Sequence, residues 1–245
     1  MSISIPAYEM AGMGAVFLGE SFERLTRQTF RDFEVVVSDQ SENAGVRETC
    51  AAYDGRLDIR VIDNRAGARC ASANVNTALD GAAGEIRKVL FQDDLVATDD
   101  ALEKIEAAFA SGDSRWSVCG STTIGPDGSR GRALVPRLTE RMRFGRNTVS
   151  SPSVLAVHQS VRTRFDEGLV WLMDVDFYDR AQIEYGPPVI VPDCLILNRI
   201  HDGQVSASVD TTLRKRELKE VFRKRPPRLG SVAHREYLRQ RLKAI

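Results

Sequence analysis

The chain has 245 residues, of which 42% are hydrophobic and 28% charged. This length predicts one large domain or one domain with an appendage, and the apolar fraction excludes a disordered chain. The 34 basic residues balance the 34 acidic ones, so no overall charge marks the protein as a binder of polyanions.

Short apolar runs alternate with helical periodicity through the first half of the chain. The runs predict strands at 2–5, 34–38, 58–62 and 87–91. Apolar residues at helical spacing predict helices at about 18–28, 46–54, 70–83 and 101–110. Strands that alternate with helices indicate a parallel sheet with right-handed crossovers.

The second half has fewer regular elements. A strand is predicted near 117–124, followed by an irregular stretch to about 150 and a helix at 173–185. Gly186 is a candidate helix cap, and Pro187-Pro188 prevents the helix from continuing. Short strands are expected at 189–191 and 194–200, and then two charged helices separated by Pro226-Pro227.

The last 33 residues form a strongly basic tail, with twelve Lys and Arg against three Glu. Such a tail favours contact with an anionic membrane surface, and the alternative is that it folds back on the acidic body of the chain. Without interleaved aromatic residues it is weak evidence for nucleic acid, which we do not expect as a partner. No apolar run approaches the roughly 18 residues of a spanning helix, and the N-terminus does not resemble a signal peptide.

The four cysteines lie far apart, without the paired spacing of a zinc site or a disulfide framework: Cys50, Cys70, Cys119 and Cys194. They indicate free thiols in a reducing compartment. We therefore expect a cytoplasmic protein, with peripheral contact at the inner face of a membrane through the tail.

Polar residues follow the predicted strands where ligands bind in open α/β sheets, beyond the carboxyl ends. These are Tyr8 and Glu9, Asp39, Asn64 and Arg65, and Gln92-Asp93-Asp94. The first strand–helix turn lacks G-x-G-x-x-G, and no Walker-type loop or G-x-S-x-G elbow occurs. These absences argue against a dinucleotide-binding dehydrogenase, a P-loop enzyme and an α/β-hydrolase.

Asp93 and Asp94 are adjacent carboxylates at a strand end. Their mutual repulsion is relieved by a hard divalent cation that also holds a diphosphate. The alternative is that the pair caps the next helix, although Asp99 and Asp100 already serve that end.

Five ordered segments between about residues 2 and 206 resemble the family-2 glycosyltransferases of the GT-A fold. They are ISIPAY (3–8), LTRQTFRDFEVVVSDQSEN (25–43), ANVNTALDGAAGEIRKVLFQDD (73–94), FDEGLVWLMDVDFYDR (165–180) and NRIHDGQVS (198–206). The resemblance implies an α/β fold with a nucleotide-binding mixed sheet flanked by helices. It divides the chain into a domain at 1–206, with a nucleotide-sugar half (1–98) and an acceptor half (99–206), and a helical tail at 207–245.

The resemblance also implies roles for individual residues on the nucleotide side. The residues implied are Pro6, Tyr8, Asp39, Arg65, Arg69, Asn74 and Asp93. Asp39 suits the imide N–H of uracil or thymine, Tyr8 the face of the base, and either arginine a phosphate. Each has a plain alternative: Tyr8 in the core, the arginines as solvated loop residues, and Asn74 as a structural tie.

Asp94 and His201 resemble the metal site for Mn²⁺ or Mg²⁺, although Gln92 replaces the first carboxylate of the family's D-x-D pattern. Asp174 resembles the general base, with Met173 where the family has Glu. Alternatively, Asp174 pairs with a buried Arg, and His201 is a solvated loop residue. The candidate acceptor contacts are Asn147, Ser151, Ser153 and Trp171, each of which also suits turn chemistry or core packing.

Taken together, the sequence predicts an inverting glycosyltransferase that moves a sugar from a nucleotide diphosphate to an acceptor hydroxyl. A UDP-sugar is favoured, then a dTDP-sugar, and the expected role is synthesis of bacterial-type cell-surface polysaccharide or another glycan on a lipid-linked acceptor. The alternatives are a nucleotidyltransferase on a similar fold and a non-catalytic polyanion-binding module. Removal of 213–245 is expected to abolish the function of such a module and to spare turnover by a transferase.

Overall fold

The computed structural model describes residues 1–204 and 209–243. Within these residues, eight strands form one mixed sheet: β1 (Ser2–Ala7), β2 (Glu34–Asp39), β3 (Ile59–Asp63), β4 (Ile86–Val89), β5 (Leu95–Val96), β6 (Trp116–Ile124), β7 (Leu155–His158) and β8 (Val189–Arg199). The helices are α1 (Gly14–Leu25), α2 (Gly45–Ala52), α3 (Ala71–Gly81), α4 (Ala101–Ala107), α5 (Met173–Tyr185), α6 (Thr211–Lys224) and α7 (Val232–Lys243).

The strand order is β3-β2-β1-β4-β7-β6-β8-β5. The pairs among β3, β2, β1 and β4 are parallel, as the alternation of strands and helices predicts. Strand β7 then pairs antiparallel with both β4 and β6. Because β5 and β7 connect the two predicted halves within one sheet, residues 1–98 and the described part of the second half, 99–204, share a single structural unit.

The core follows from the strand sequences. Strand β1 (SISIPA) is buried along its whole length and β2 (EVVVSD) is buried from Val35 onward, as expected for strands that are covered on both faces. Helix α3 packs on β1 and β2, and helix α1 packs on α2. The first strand continues through Pro6 to Ala7 instead of ending at Pro6, and the last runs unbroken over 189–199. Its register shifts opposite Gly120, where a Cβ would lie 2.7 Å from the carbonyl oxygen of Asp193.

The basic tail is folded onto the body of the protein. Helices α6 and α7 bury Leu218, Val221 and Tyr237, and the Tyr237 ring packs on Phe144 at 5.3 Å between centroids. Arg225 donates to Asp179 (2.7 Å) and Asp176 (2.5 Å) of α5. The predicted domain boundary at 206/207 lies outside the described residues, but the helices that follow it belong to the same packed unit.

No helix in the described ranges is both long and apolar enough to cross a bilayer. All four cysteines are free thiols, in agreement with the sequence-based expectation.

Candidate active site

A cavity of about 520 Å³ opens at the carboxyl ends of the parallel strands. One side, which we call the strand-end wall, is formed by Pro6, Tyr8, Asn74, Gln92 and Asp93. The other side, which we call the helix wall, is formed by Ser151, Val170, Trp171, Met173 and Asp174. The topology of the sheet therefore brings eight of the predicted site residues to one cavity: Pro6, Tyr8, Arg69, Asn74, Asp93, Ser151, Trp171 and Asp174.

Tyr8 stands on the strand-end wall, where it is 38% exposed, and not in the core. Its backbone is held by the Gln92 side chain: Tyr8 N–H donates to Oε1 (2.7 Å), and Nε2 donates to the Tyr8 carbonyl (2.8 Å). Gly14 packs against the same spot, since a Cβ there would lie 2.1 Å from the Tyr8 carbonyl oxygen. Both ends of the Gln92 amide are therefore used to fix the loop after β1.

Asn74 is a buried tie at the start of α3. Its Nδ2 donates to the Ala7 carbonyl (3.0 Å), and its Oδ1 accepts from the Ser38 hydroxyl (2.6 Å). These bonds join α3 to the ends of β1 and β2 beside the cavity.

Two predicted nucleotide contacts lie away from the cavity. Asp39 is fully buried at the end of β2, where it accepts from the backbone N–H of Ser41 (2.8 Å) and from Arg47 (2.8 Å). Arg65 is exposed and forks onto Asp63. By contrast, Arg69 reaches the cavity and pairs with Glu42, which distinguishes the two candidate arginines. The neighbouring Gln40 also lines the cavity, with Nε2 donating to the Ala68 carbonyl (2.7 Å).

The two adjacent carboxylates have different surroundings. Asp93 lines the cavity, and its Oδ2 lies 3.1 Å from Nε2 of His201. Asp94 points away and accepts from Asn198 Nδ2 (2.9 Å), Ser151 Oγ (3.1 Å) and the N–H of Arg199 (3.2 Å). Burial, followed by the charge of Asp93, raises the pKa of Asp94 to about 7.

This geometry distinguishes the two carboxylates as candidate metal ligands, and the assignment itself stays a prediction. Asp94 is enclosed and ties β8 to the end of β4, whereas Asp93 lines the cavity and has the His201 ring against its Oδ2. Among the described residues, no group of three or more His, Cys, Asp or Glu could hold a metal by itself. Mg²⁺ is usually bound by one or two protein side chains, and phosphate oxygens and water take its remaining positions. Asp93 and His201 therefore fit a cation that arrives with a nucleotide.

Asp174 lies in the first turn of α5, facing the cavity. Its Oδ1 accepts from the N–H of Val175 (2.7 Å), and its Oδ2 accepts from Asn147 Nδ2 (2.6 Å). Burial raises the pKa of Asp174 to about 7, and the charge of Glu217 adds to the increase. A carboxylate with a pKa near neutrality is suited to accept a proton at physiological pH.

Within residues 1–204 and 209–243, Asp174 has no Arg partner, which argues against the alternative of a structural ion pair. The neighbouring Asp176 takes that part, with Arg180 at 2.7 Å and Arg225 at 2.5 Å.

The remaining acceptor candidates have mixed surroundings. Ser153 is fully buried; its hydroxyl accepts from the N–H of Phe91 (2.9 Å), so it is a structural residue and not a cavity contact. Asn147 lies beside Asp174 and donates to its Oδ2. Trp171 lines the cavity under the guanidinium of Arg214, 5.1 Å from the ring centroid.

Sequence reasoning missed what the tail contributes to this site. Glu217 of α6 is completely buried and contacts the backbone of the helix wall. A signal for it exists, because Glu217 interrupts the apolar stripe of α6 between Leu213 and Val221. An acid at a core-facing position of a helix requires partners that the helix alone does not supply.

Comparison with known proteins finds one matching family and several similar folds. A sequence model described as glycosyl transferase family 2 matches residues 2–199. The structure of S. aureus TarS 1-349 in complex with UDP-GlcNAc is similar, with a TM-score of 0.71 at 18% identity, covering 99% of this chain and 71% of that one. The mannosyltransferase PcManGT from Pyrobaculum calidifontis, in complex with GDP-Man and Mn²⁺, gives a TM-score of 0.68 at 17% identity, with coverage of 99% and 73%. No curated protein sequence matches the chain. The predicted GT-A fold is confirmed.

Proposed function

This chain belongs to glycosyl transferase family 2 and is a glycosyltransferase, and from that premise we propose an inverting transfer of a sugar from a nucleotide diphosphate to an acceptor hydroxyl. The observation that carries the proposal is one cavity that holds Asp93 on its strand-end wall and Asp174 on its helix wall. The first suits the diphosphate end of a donor, and the second suits the hydroxyl that attacks it.

Asp174 acts as the general base. An alcohol is a weak nucleophile until its proton is removed in the transition state, and a carboxylate with a pKa of about 7 accepts that proton at neutral pH. The acceptor oxygen bonds to C1 of the sugar, the bond from C1 to the diphosphate oxygen breaks, and the proton moves to Asp174. A single displacement from the face opposite the leaving group inverts the anomeric centre.

Asp93 and His201 would hold Mn²⁺ or Mg²⁺ against the diphosphate. When bound, the cation supplies positive charge that stabilises the departing diphosphate. Asn147 keeps Oδ2 of Asp174 oriented, and the apolar rings of Tyr8 and Trp171 cover the base and the sugar from the two walls. These contacts exclude water around the reacting atoms.

The proposed donor is a UDP-sugar first and a dTDP-sugar second. Asp39 carries this argument less directly than the sequence implies, because it is enclosed and pairs with Arg47. Gln40 stands next to it on the cavity, and an amide oxygen accepts an imide N–H as a carboxylate does. The proposed role remains synthesis of a cell-surface polysaccharide or another glycan.

Calorimetric titration of UDP, dTDP and GDP, with and without Mn²⁺, tests the donor site and identifies the base. We expect one nucleotide to bind in a metal-dependent manner, and Asp93→Ala to abolish the metal dependence. Asp63→Ala is the matched control, since Asp63 is an exposed carboxylate outside the cavity. Absence of binding by all three nucleotides, in both conditions, contradicts the proposal.

We also propose that the tail contacts an anionic membrane where lipid-linked acceptors reside. Support comes from three exposed leucines, Leu229, Leu238 and Leu242, at 83%, 46% and 70%. The basic residues of α7 lie among them, and in the part of the chain that the structure describes they make no ion pair with the body. Apolar and basic side chains on one surface are typical of interfacial helices.

Sedimentation with vesicles that contain anionic lipid tests this contact on the folded protein. Leu238→Ser with Leu242→Ser is expected to reduce the bound fraction, whereas Ile183→Ser, an exposed apolar residue of α5, leaves it unchanged. Equal sedimentation of all three proteins would refute membrane docking through α7.

A further inference from the structure

A carboxylate from the tail is buried against the backbone of the helix wall. Glu217, in the middle of α6, has no solvent exposure. Its Oε1 accepts from the N–H of Val170 (2.7 Å), and its Oε2 accepts from the N–H groups of Trp171 and Leu172 (both 2.9 Å). Three consecutive amides are thus satisfied by one side chain that lies 45 residues or more away in sequence.

These three residues lead directly into the helix that carries the base. Leu172 is the residue before α5, and Asp174 is the second residue of that helix. Because charge-assisted hydrogen bonds to a carboxylate are short and strong, Glu217 fixes the entry of the chain into α5. Val170, Trp171 and Asp174 all line the cavity, so any shift of this segment moves the helix wall.

Helix α6 also contacts a side chain of the helix wall, that of Trp171. The guanidinium of Arg214, one turn before Glu217, lies over the Trp171 ring at 5.1 Å. Val209, which precedes α6, lines the cavity as well. The start of the tail therefore builds part of the site and is not an appendage to it.

We propose that Glu217 is a positioning residue of the transfer reaction, which holds residues 170–172 so that Asp174 and Trp171 face the acceptor. The inference rests on the proposed function for the identity of Asp174 as the base. Its electrostatic consequence is measurable separately, since the negative charge of Glu217 raises the pKa of Asp174.

Glu217→Gln is the informative variant because it keeps the size of the side chain. Its amide has one acceptor oxygen, and its NH₂ group faces backbone donors, so at least one of the three bonds is lost. Glu220→Gln is the matched control, since Glu220 lies one turn further on α6 and, among the residues that the structure describes, pairs only with Arg223 and Lys224. Glu217→Asp keeps the charge but shortens the reach.

Hydrogen exchange of the full-length protein gives the first result without any substrate. In the wild type, the amides of 170–172 should exchange as slowly as those of α6, because both open together. Glu217→Gln should speed exchange at 170–172 while Glu220→Gln does not. Fast exchange at 170–172 in the wild type, or no change in Glu217→Gln, overturns the proposal.

The second result separates positioning from mere packing. The titration of Asp174, followed by the ¹³C signal of its carboxyl group and assigned with Asp174→Asn, should move to lower pH in Glu217→Gln and stay near the wild-type value in Glu217→Asp. Turnover at neutral pH should fall about 10- to 100-fold in Glu217→Gln, as expected for displacement of a catalytic group, with nucleotide affinity unchanged. If exchange increases but the Asp174 titration and turnover are unchanged, Glu217 is structural only and the proposal fails.

Failure of the proposed function looks different. A protein that binds none of the three nucleotides loses its assignment as a nucleotide-sugar transferase, whatever the exchange of residues 170–172. If the wild type binds a nucleotide and the Glu217→Gln variant turns over normally, the proposed function stands and only the role of Glu217 is refuted.

Discussion

The two walls of the cavity are held in place by different means. On the strand-end wall, Tyr8, Asn74 and Gln92 join elements that are neighbours in the sheet, through contacts between β1, α3 and β4. On the helix wall, Asp174 depends on Asn147 from the irregular stretch and on Glu217 from the tail. The strand-end wall follows from strand topology, which can be predicted from a sequence pattern. The helix wall is assembled from distant segments, and a sequence pattern does not show which segments meet.

The largest effect is expected at the base. Asp174→Asn removes the proton acceptor while its amide oxygen can still accept from Val175, so turnover should fall by about 10²- to 10⁴-fold. Nucleotide binding on the opposite wall should be unchanged, as measured by calorimetry. A parallel loss of nucleotide binding would show that the two walls are not independent.

The pH dependence of the wild type should report the same group. Because burial raises the pKa of Asp174 to about 7, kcat/KM should fall about tenfold for each pH unit below that value.

The same group should affect the free energy of unfolding. The folded protein holds this proton up to about pH 7, whereas the unfolded chain releases it near pH 4. The contribution of Asp174 to stability therefore falls as pH rises through that window, by about 1.4 kcal/mol per pH unit. Asp174→Asn should therefore be more stable than the wild type at pH 8 and similar to it at pH 4. Asp94 has a raised pKa as well, so the test is the difference between the two proteins: if their stabilities in urea unfolding do not diverge from pH 4 to pH 8, burial of the Asp174 carboxylate is contradicted.

The next largest effect is expected where the tail attaches to α5. Arg225→Ala leaves Asp176 and Asp179 with fewer partners in a largely buried place, and we expect a loss of about 2 kcal/mol in the free energy of unfolding. Arg223→Ala, the control, breaks only an exposed pair with Glu220 and should cost less than about 0.5 kcal/mol. Equal urea midpoints for the two variants would indicate that the tail is not docked as described. Docking also replaces the expectation that turnover survives removal of 213–245, because that deletion removes Glu217.

A smaller effect is expected on the strand-end wall. Gln92→Glu removes the donor to the Tyr8 carbonyl and sets two acceptors against each other, at a cost of about 1–2 kcal/mol. Because Tyr8 lines the cavity, nucleotide affinity should fall about tenfold, which calorimetry measures. Gln159→Glu makes the same chemical change on the surface and should leave affinity unaltered. An unchanged affinity for Gln92→Glu would mean that the Tyr8 loop is held by other contacts.

The same contrast explains how far the sequence could be interpreted. The end of helix 173–185 was predictable to the residue, because Gly186 takes a positive φ of 81° and two prolines follow. The short strand β7 and the pair β5–β8 were not, since their partners come from antiparallel pairing of distant segments. In the site, Asp93 and Asp94 were found together by pattern, but which of them faces the cavity depends on Asn198 and Ser151. Sequence order alone does not bring those residues to Asp94.

The two arginines of the loop after β3 provide the finest comparison. Spacing made Arg65 and Arg69 equal candidates for a phosphate contact, but Arg65 is paired with Asp63 away from the cavity, whereas Arg69 reaches it. Exposed ion pairs contribute roughly 0–1 kcal/mol, so neither Arg65→Ala nor Arg69→Ala should change stability appreciably. Their effects on nucleotide affinity should differ: about fivefold weaker for Arg69→Ala, from the loss of one partly exposed contact to a charged group, and none for Arg65→Ala. Since the two variants remove the same side chain four residues apart, a matching loss in both would mean that phosphate is attracted by the charge of the whole loop. A loss confined to Arg69→Ala would assign the contact to the wall itself.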